Sequence, residues 1–198
     1  MKTAIFDVGN VLIDFDLSAL CRMISEDSSA SESQALAEMQ SERLIQLETG
    51  HLSAQDYIHY FRKTYGLTWN AETWAKKYSL TFKLNAQGNS LRKKMIARGN
   101  AVCLLSNISE FSEEGVRRVF PEVLENNTAN FYSYELGLHK PSRAIYQKVA
   151  DRLHIECSSC VMIDDRIENV EGAVAAGMTG FHFIPENYQT IMESLDFV

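Results

Sequence analysis

Short unbroken apolar runs recur along this chain, and each is closed by polar residues. Residues 4–6 stop at Asp7, residues 101–105 at Ser106-Asn107, and residues 160–163 at Asp164-Asp165. A run without apolar–polar alternation suits a parallel strand covered on both faces. Residues 130–134 and 179–184 read as two further strands. Between the runs the apolar spacing changes to three and four. Leu91, Met95 and Ile96 mark a helix that stops at Gly99, and Ile145, Val149 and Leu153 mark another. Further helices are expected at about 110–119, between Asp165 and Gly177, and as a last element reaching the C-terminus. Strands alternating with helices predict a parallel sheet joined by right-handed crossovers.

Residues 12–16 alternate as a hairpin arm does, and then the texture changes. From Leu17 to about Phe82 the pattern is helical throughout, with no strand-like run. One helix is predicted over 31–48, with Leu36, Met39, Leu44 and Leu47 as its stripe and Thr49-Gly50 as its stop. Ser53 with Asp56 opens a second helix that closes at Gly66, and Asn70 with Thr73 opens a third. In that third helix Trp74, Tyr78 and Phe82 fall on one face at i, i+4 and i+8, which reads as bundle core. The block has room for about four helices. The expected organisation is an α/β core made of residues 1–14 and 84–198. Residues 15–83 are inserted after the first strand as a small helical cap over the sheet's C-terminal edge.

Composition narrows the function classes. The chain has 198 residues, 45% hydrophobic and 23% charged, which suits a globular protein with a good core. Its net charge of −7 argues against a nucleic-acid partner, and an anionic ligand would need a locally positive site. No apolar run reaches membrane length, and the stretch before Asp7 is too short for a signal peptide. A cytoplasmic protein without a membrane partner is therefore expected, as a monomer or a homodimer. The four cysteines, Cys21, Cys103, Cys157 and Cys160, include one C-x-x-C but no second pair to complete a zinc site. They read as reduced thiols.

The polar residues that close the runs are the candidate chemistry. In a parallel sheet the strand ends share one edge, so Asp7, Ser106-Asn107, Lys140 and Asp164-Asp165 are predicted to converge there. Each suits phosphoryl transfer. The Asp7 carboxylate can attack phosphorus and form an aspartyl-phosphate. Val8 and Gly9, in the turn that follows, can present backbone N–H groups to a phosphate. Ser106 can donate its hydroxyl, Asn107 its amide N–H, and Lys140 can neutralise charge on phosphate and nucleophile. Asp7, Asp164 and Asp165 form an oxygen-rich set that suits Mg²⁺, with the Gly9 carbonyl as a further ligand. Taken singly, each has a plainer reading: Ser106 as a helix cap, Lys140 as a turn residue, Asp164-Asp165 as helix-start carboxylates. Their order, each at a strand end, favours the shared site.

These segments resemble the haloacid dehalogenase-like hydrolase superfamily over the full length. The matching motifs are F-D-V-G-N-V at 6–11, L-L-S-N at 104–107, G-L-H-K-P at 137–141 and I-D-D-R-I-E-N-V-E-G-A at 163–173. The resemblance implies a Rossmann-like core, a type-1 helical cap, an aspartate nucleophile at Asp7 and Mg²⁺ as cofactor. It also implies phosphate ligands at Ser106, Asn107 and Lys140, and metal ligands at Asp7 and the 164–165 pair; Asp165 is expected as a direct ligand, with Asp164 acting directly or through water. The D-x-G-N variant, E-T-G-H-L-S at 48–53 and D-D-x-x-x-N most resemble bacterial α-D-glucose-1-phosphate phosphatases. A small phosphorylated substrate, such as a hexose 1-phosphate, is the corresponding expectation.

One departure matters. Most phosphatases of that superfamily carry a second aspartate two residues after the nucleophile, as general acid and base, where this chain has Gly9. Losing such help typically slows a reaction by about 10²–10⁴-fold. A substrate with a good leaving group would tolerate the loss, or Glu48, at a turn of the cap, could take the role. The competing readings are a 2-haloacid dehalogenase and a non-catalytic sugar-phosphate binder.

Overall fold

A computed structural model describes residues 2–196. Residue 1 and residues 197–198, which the expected core and last helix include, lie outside the described residues. The chain opens with strand β1 (Thr3–Phe6) and the short strand β2 (Ile13–Phe15). Five helices follow: α1 (Leu17–Glu26), α2 (Glu32–Glu38), α3 (Glu42–Glu48), α4 (Ala54–Tyr65) and α5 (Ala71–Ser79). Then come β3 (Phe82–Leu84), α6 (Ala86–Ala97), β4 (Val102–Ser106), α7 (Glu110–Val119) and the single turn α8 (Pro121–Leu124). The remainder is β5 (Ala129–Tyr132), a turn α9 (Ser133–Leu136), α10 (Arg143–Leu153), β6 (Cys160–Asp164), α11 (Ile167–Ala175), β7 (Thr179–His182) and α12 (Tyr188–Asp196).

Five strands form one sheet in the order β5-β4-β1-β6-β7, every neighbouring pair parallel. Side chains alternate between its faces. Phe6, Leu104 and Ile163 pack on one side with Leu91 and Met95 of α6. Ile5, Cys103, Leu105 and Met162 pack on the other with Ile145, Tyr146 and Val149 of α10. Both faces are covered, which is why these strands are apolar without alternation. All four cysteines are free thiols. No described helix is long and apolar enough to cross a membrane.

The α1–α5 block has its own core of Leu20, Ile24, Tyr57, Phe61, Trp69, Trp74 and Tyr78, joined by Phe111 of α7. Trp74 stacks on Phe111 with ring centroids 5.8 Å apart. A Cβ on Gly115 would meet the Ala75 carbonyl oxygen at 3.0 Å, so α5 and α7 approach closely where α7 has no side chain.

Four expectations change. The helix predicted over 31–48 is two helices, because Ser41 donates to the Glu38 carbonyl (2.7 Å) and caps α3 by accepting from Leu44 N–H (3.4 Å). The block thus holds five helices, with α1 in the stretch where no separate stripe was read. Phe82 is not on the Trp74–Tyr78 helix. The chain leaves α5 at Ser79, held by Thr81 donating to the Tyr78 carbonyl (2.6 Å), and Phe82 pairs with Phe15 in an antiparallel β2–β3 ribbon. The strands expected to end at 134 and 184 end at Tyr132 and His182.

Candidate active site

The three central strands bring the first residues together. The register pairs Phe6 of β1 with Leu104 of β4 and with Ile163 of β6. Ser106, Asp7 and Asp164 therefore stand along one edge of the sheet, where strand ends in α/β folds meet ligands. The backbone turns after Asp7 with the left-handed residue at Asn10 (φ 53°), not at Gly9. A Cβ at position 9 would meet nothing within 4 Å, so space for a larger side chain exists there.

Lys140 reaches this edge from the loop between α9 and α10. Its buried ammonium lies 3.0 Å from Asp7 Oδ1 and 2.6 Å from Asp164 Oδ2, and donates to the Leu105 carbonyl at 3.0 Å. All three of its hydrogens are thereby directed at protein oxygens. The other Asp164 oxygen accepts from Arg166 N–H (3.0 Å) and from the Asn169 amide (2.9 Å). Asp165 is half-buried and accepts from the Asn10 amide at 3.1 Å. Carboxylate oxygens of Asp7, Asp164 and Asp165 lie within 4.8 Å of one another. A Cβ on Gly172 would fall 2.4 Å from the Pro141 carbonyl oxygen, so α11 can pack on the Lys140–Pro141 turn only without one.

Three carboxylates facing one ammonium leave this edge short of positive charge. Burial, opposed by Lys140 and helped by Asp164 and Asp165, pushes the Asp7 carboxyl up from 3.8 to about 7. Burial likewise raises Asp165. Burial pulls Lys140 down, but Asp7 and Asp164 outweigh it and hold the ammonium above its usual value. An all-oxygen donor set with excess negative charge fits a hard divalent cation such as Mg²⁺.

A second cluster borders the first. Asn107 holds the Lys140 main chain at both ends of the residue: its Oδ1 accepts from Lys140 N–H (2.9 Å) and its Nδ2 donates to the Lys140 carbonyl (3.0 Å). His139 Nδ1 also approaches that carbonyl (2.6 Å), and its Nε2 lies 3.1 Å from Glu48 Oε2 at the end of α3. Glu48 is therefore not a free surface carboxylate; it ties the helical block to the sheet edge. Both clusters line one cavity of about 280 Å³, which also exposes Val8, Gly9, Ser106 and Asn107.

The profile of the haloacid dehalogenase-like hydrolase family matches residues 1–177. The chain belongs to that family. It is 27% identical over 194 residues to a sesquiterpene phosphatase of Aspergillus oryzae, covering 97% of this chain and 94% of that protein. A haloacid dehalogenase family enzyme of Bacteroides thetaiotaomicron superposes with a TM-score of 0.82 at 19% identity, covering 96% and 98% of the two chains. The same enzyme, solved with magnesium and inorganic phosphate, superposes at 0.74 and 20% identity over 91% and 93%. A 2-haloacid dehalogenase of Pseudomonas syringae gives 0.64 at 14% identity, covering 100% of this chain and 99% of that one. These structural likenesses concern the fold.

Within this haloacid dehalogenase-like hydrolase, sequence reasoning brought together Asp7, Ser106, Lys140, Asp164 and Asp165 but gave no role to His139, Asn10 or Asn169. All three stand inside quoted motifs. His139 lacked a signal because its partner Glu48 is 91 residues away in the chain. Asn169 lies one helical turn beyond the aspartate pair, a spacing that can return a side chain to the strand end.

Proposed function

We propose that the protein is a Mg²⁺-dependent phosphatase of small phosphomonoesters that works through an aspartyl-phosphate on Asp7. The observation that carries this reading is the Asp7 carboxylate at a parallel strand end, 3.0 Å from a fully buried ammonium and clustered with two more carboxylates. Family membership supports it, as do the phosphatase name of the Aspergillus relative and the magnesium and phosphate bound by the Bacteroides enzyme. The 2-haloacid dehalogenase reading uses Asp7 but leaves the excess negative charge that Asp165 adds to the cluster without a purpose, since displacing halide with an aspartate needs no cation.

Asp7, Asp165 and the Gly9 carbonyl would hold Mg²⁺, and Asp164 would orient the site, because both its oxygens are already engaged by Lys140, Arg166 and Asn169. When bound, the ion would neutralise charge on the phosphoryl oxygens. Lys140 favours the ionised form of Asp7 against the larger effect of burial and holds the carboxylate in place. Ser106, with the backbone N–H groups of Gly9 and Asn107, receives the phosphate oxygens, while the Asn107 side chain fixes the Lys140 turn and the Val8 N–H, expected to face phosphate, instead donates to Asp7 Oδ1 at 2.7 Å. One Asp7 oxygen attacks phosphorus, the ester P–O bond breaks, and the departing oxygen takes a proton. Water then attacks the phosphoryl group, releasing inorganic phosphate and restoring the carboxylate. With glycine at position 9, the Glu48–His139 hydrogen-bonded pair is the nearest candidate for handling that proton. Residues 1–14 and 84–198 act as the catalytic core and residues 15–83 as its cap. A good leaving oxygen, such as the anomeric one of the hexose 1-phosphate expected from the sequence, would lessen the need for the missing acid, but that is a matter of leaving-group chemistry and does not fix the body of the substrate.

The test is phosphate release from a phosphomonoester panel with and without Mg²⁺, together with acid-quench trapping of phosphorylated protein. Release that needs Mg²⁺, with label on residue 7 recovered by peptide mapping, is expected. Release undiminished by chelator, or label elsewhere, would overturn the reading.

A further inference from the structure

The cavity over Asp7 has two unlike halves. Its floor, from the sheet edge, is Asp7, Ser106, Lys140 and Asp165. Its opposite wall, from the β2–β3 ribbon and the helical block, is Phe15, Leu17, Met39, Leu44, Tyr78 and Phe82. Four of these six, Phe15, Leu17, Leu44 and Phe82, pack against the block's core yet stay only half-buried. They leave apolar surface facing the space above the phosphate position. Phe15 stacks on Tyr78 with centroids 6.0 Å apart and meets Phe82 at 5.8 Å, so this corner is preformed. Met39 adds an adaptable thioether side chain.

We infer that the phosphomonoester taken here carries an apolar organic body, as an alkyl or prenyl phosphate does, rather than a sugar; this rests on the phosphatase reading above. A hexose presents a hydroxyl on nearly every carbon, and a buried hydroxyl facing apolar side chains loses its water without gaining a partner. Most polar side chains around the cavity are already hydrogen-bonded within the protein, and on the wall itself the Tyr78 hydroxyl is the one polar group. Asn10 bonds to Asp165 and to Phe15 N–H, Asn169 to Asp164, Ser112 to Ser109, and Glu48 to His139. An apolar body would instead remove the half-buried leucines and phenylalanines from water as it enters. The floor would then recognise the phosphate and the wall the carbon chain.

The experiment compares initial rates of phosphate release by the full-length protein, supplied with Mg²⁺, from methyl, hexyl and geranyl phosphate and from glucose 1-phosphate and glucose 6-phosphate. Methyl and hexyl alcohols are similar leaving groups, so their ratio reports the wall and not the chemistry. We expect kcat/KM for hexyl and geranyl phosphate to exceed methyl phosphate and both sugars by about tenfold or more. Equal or faster turnover of either glucose phosphate would overturn the inference while leaving the phosphatase reading intact. Silence across the whole panel would overturn that reading, and the inference with it. In L44N the hexyl-to-methyl ratio should fall about fivefold or more, on the order of the effect expected for a lost apolar contact. Because both rates come from one preparation, the ratio does not depend on how much of the variant folds. An unchanged ratio would remove Leu44 from the recognition surface.

Discussion

In the helical block, Trp74 meets Tyr57, Phe61 and Trp69 edge to face at ring separations of 5.6, 5.3 and 4.9 Å. At the sheet edge, Lys140 meets Asp7 and Asp164 at 3.0 and 2.6 Å. Both places are buried, yet they treat polar atoms oppositely. The block leaves Tyr57 Oη and Trp74 Nε1 without a hydrogen-bond partner among the described residues. At the edge, both Asp164 oxygens and all three Lys140 hydrogens have one. A wide aromatic core can carry an occasional orphaned polar atom, because its stability comes from area and ring contacts. A charge cluster cannot, because each unpaired ion in a poor solvent is expensive. Single-atom changes should therefore matter most at the edge and least in the block.

Asp7→Asn makes the largest difference. Phosphate release should drop by more than about 10³-fold, as expected when a nucleophile is removed. The same change should help the metal-free protein at alkaline pH. Folded Asp7 keeps its proton up to about 7, whereas the unfolded chain releases it near 3.8. The folded state therefore binds more protons in that window, and the stability of the chelator-treated wild type falls as pH rises through it. Asp7→Asn removes that slope, which thermal melts at several pH values would reveal; a parallel slope in the variant would contradict the account.

Lys140→Met comes next. It leaves Asp7 and Asp164 buried against each other without a cation, and urea unfolding should show a loss of about 3–5 kcal/mol. Added Mg²⁺ should restore part of it. A loss below about 1 kcal/mol would mean that the edge is as forgiving as the block.

For Glu48→Gln, kcat on alkyl phosphates should fall on the order of 10²-fold, and much less on p-nitrophenyl phosphate, whose leaving group needs no proton. A loss equal for both substrates would make Glu48 a structural tie and nothing more. At the small end, Tyr57→Phe should leave stability unchanged or raise it by up to about 1 kcal/mol, since an unpartnered hydroxyl is removed. A clear loss in a denaturant melt would reveal a partner for that hydroxyl.

The edge was legible in the sequence because its logic is local. Three apolar runs stop at residues that the sheet presents, and parallel pairing places those stops together; Lys140, expected at a strand end as well, instead reaches the edge from the loop after α9, since β5 ends at Tyr132. The block was harder to read. The spacing of Trp74, Tyr78 and Phe82 continues a helix on paper, but Thr81 turns the chain so that Phe82 can pair with Phe15. A strand of three residues carries too little pattern to announce itself. Ser41 splits a stripe whose period runs on across the break. His139 gains its meaning from Glu48, and the half-buried apolar wall is visible only after folding, because nothing in the spacing of Leu17 or Leu44 tells a filled contact from an open one.

The ribbon between the two regions has a further consequence. Asp16 N–H donates to the Thr81 carbonyl at 3.0 Å, directly beyond the paired Phe15 and Phe82. Everything between those residues departs from and returns to a single spot, so its length is invisible to the strands that carry the reactive groups. Exchanging such a segment would leave Asp7, Ser106, Lys140 and Asp164 on their own elements while replacing most of the apolar wall and Glu48 together, so the choice of molecule and the handling of the leaving group's proton would be rewritten in one step.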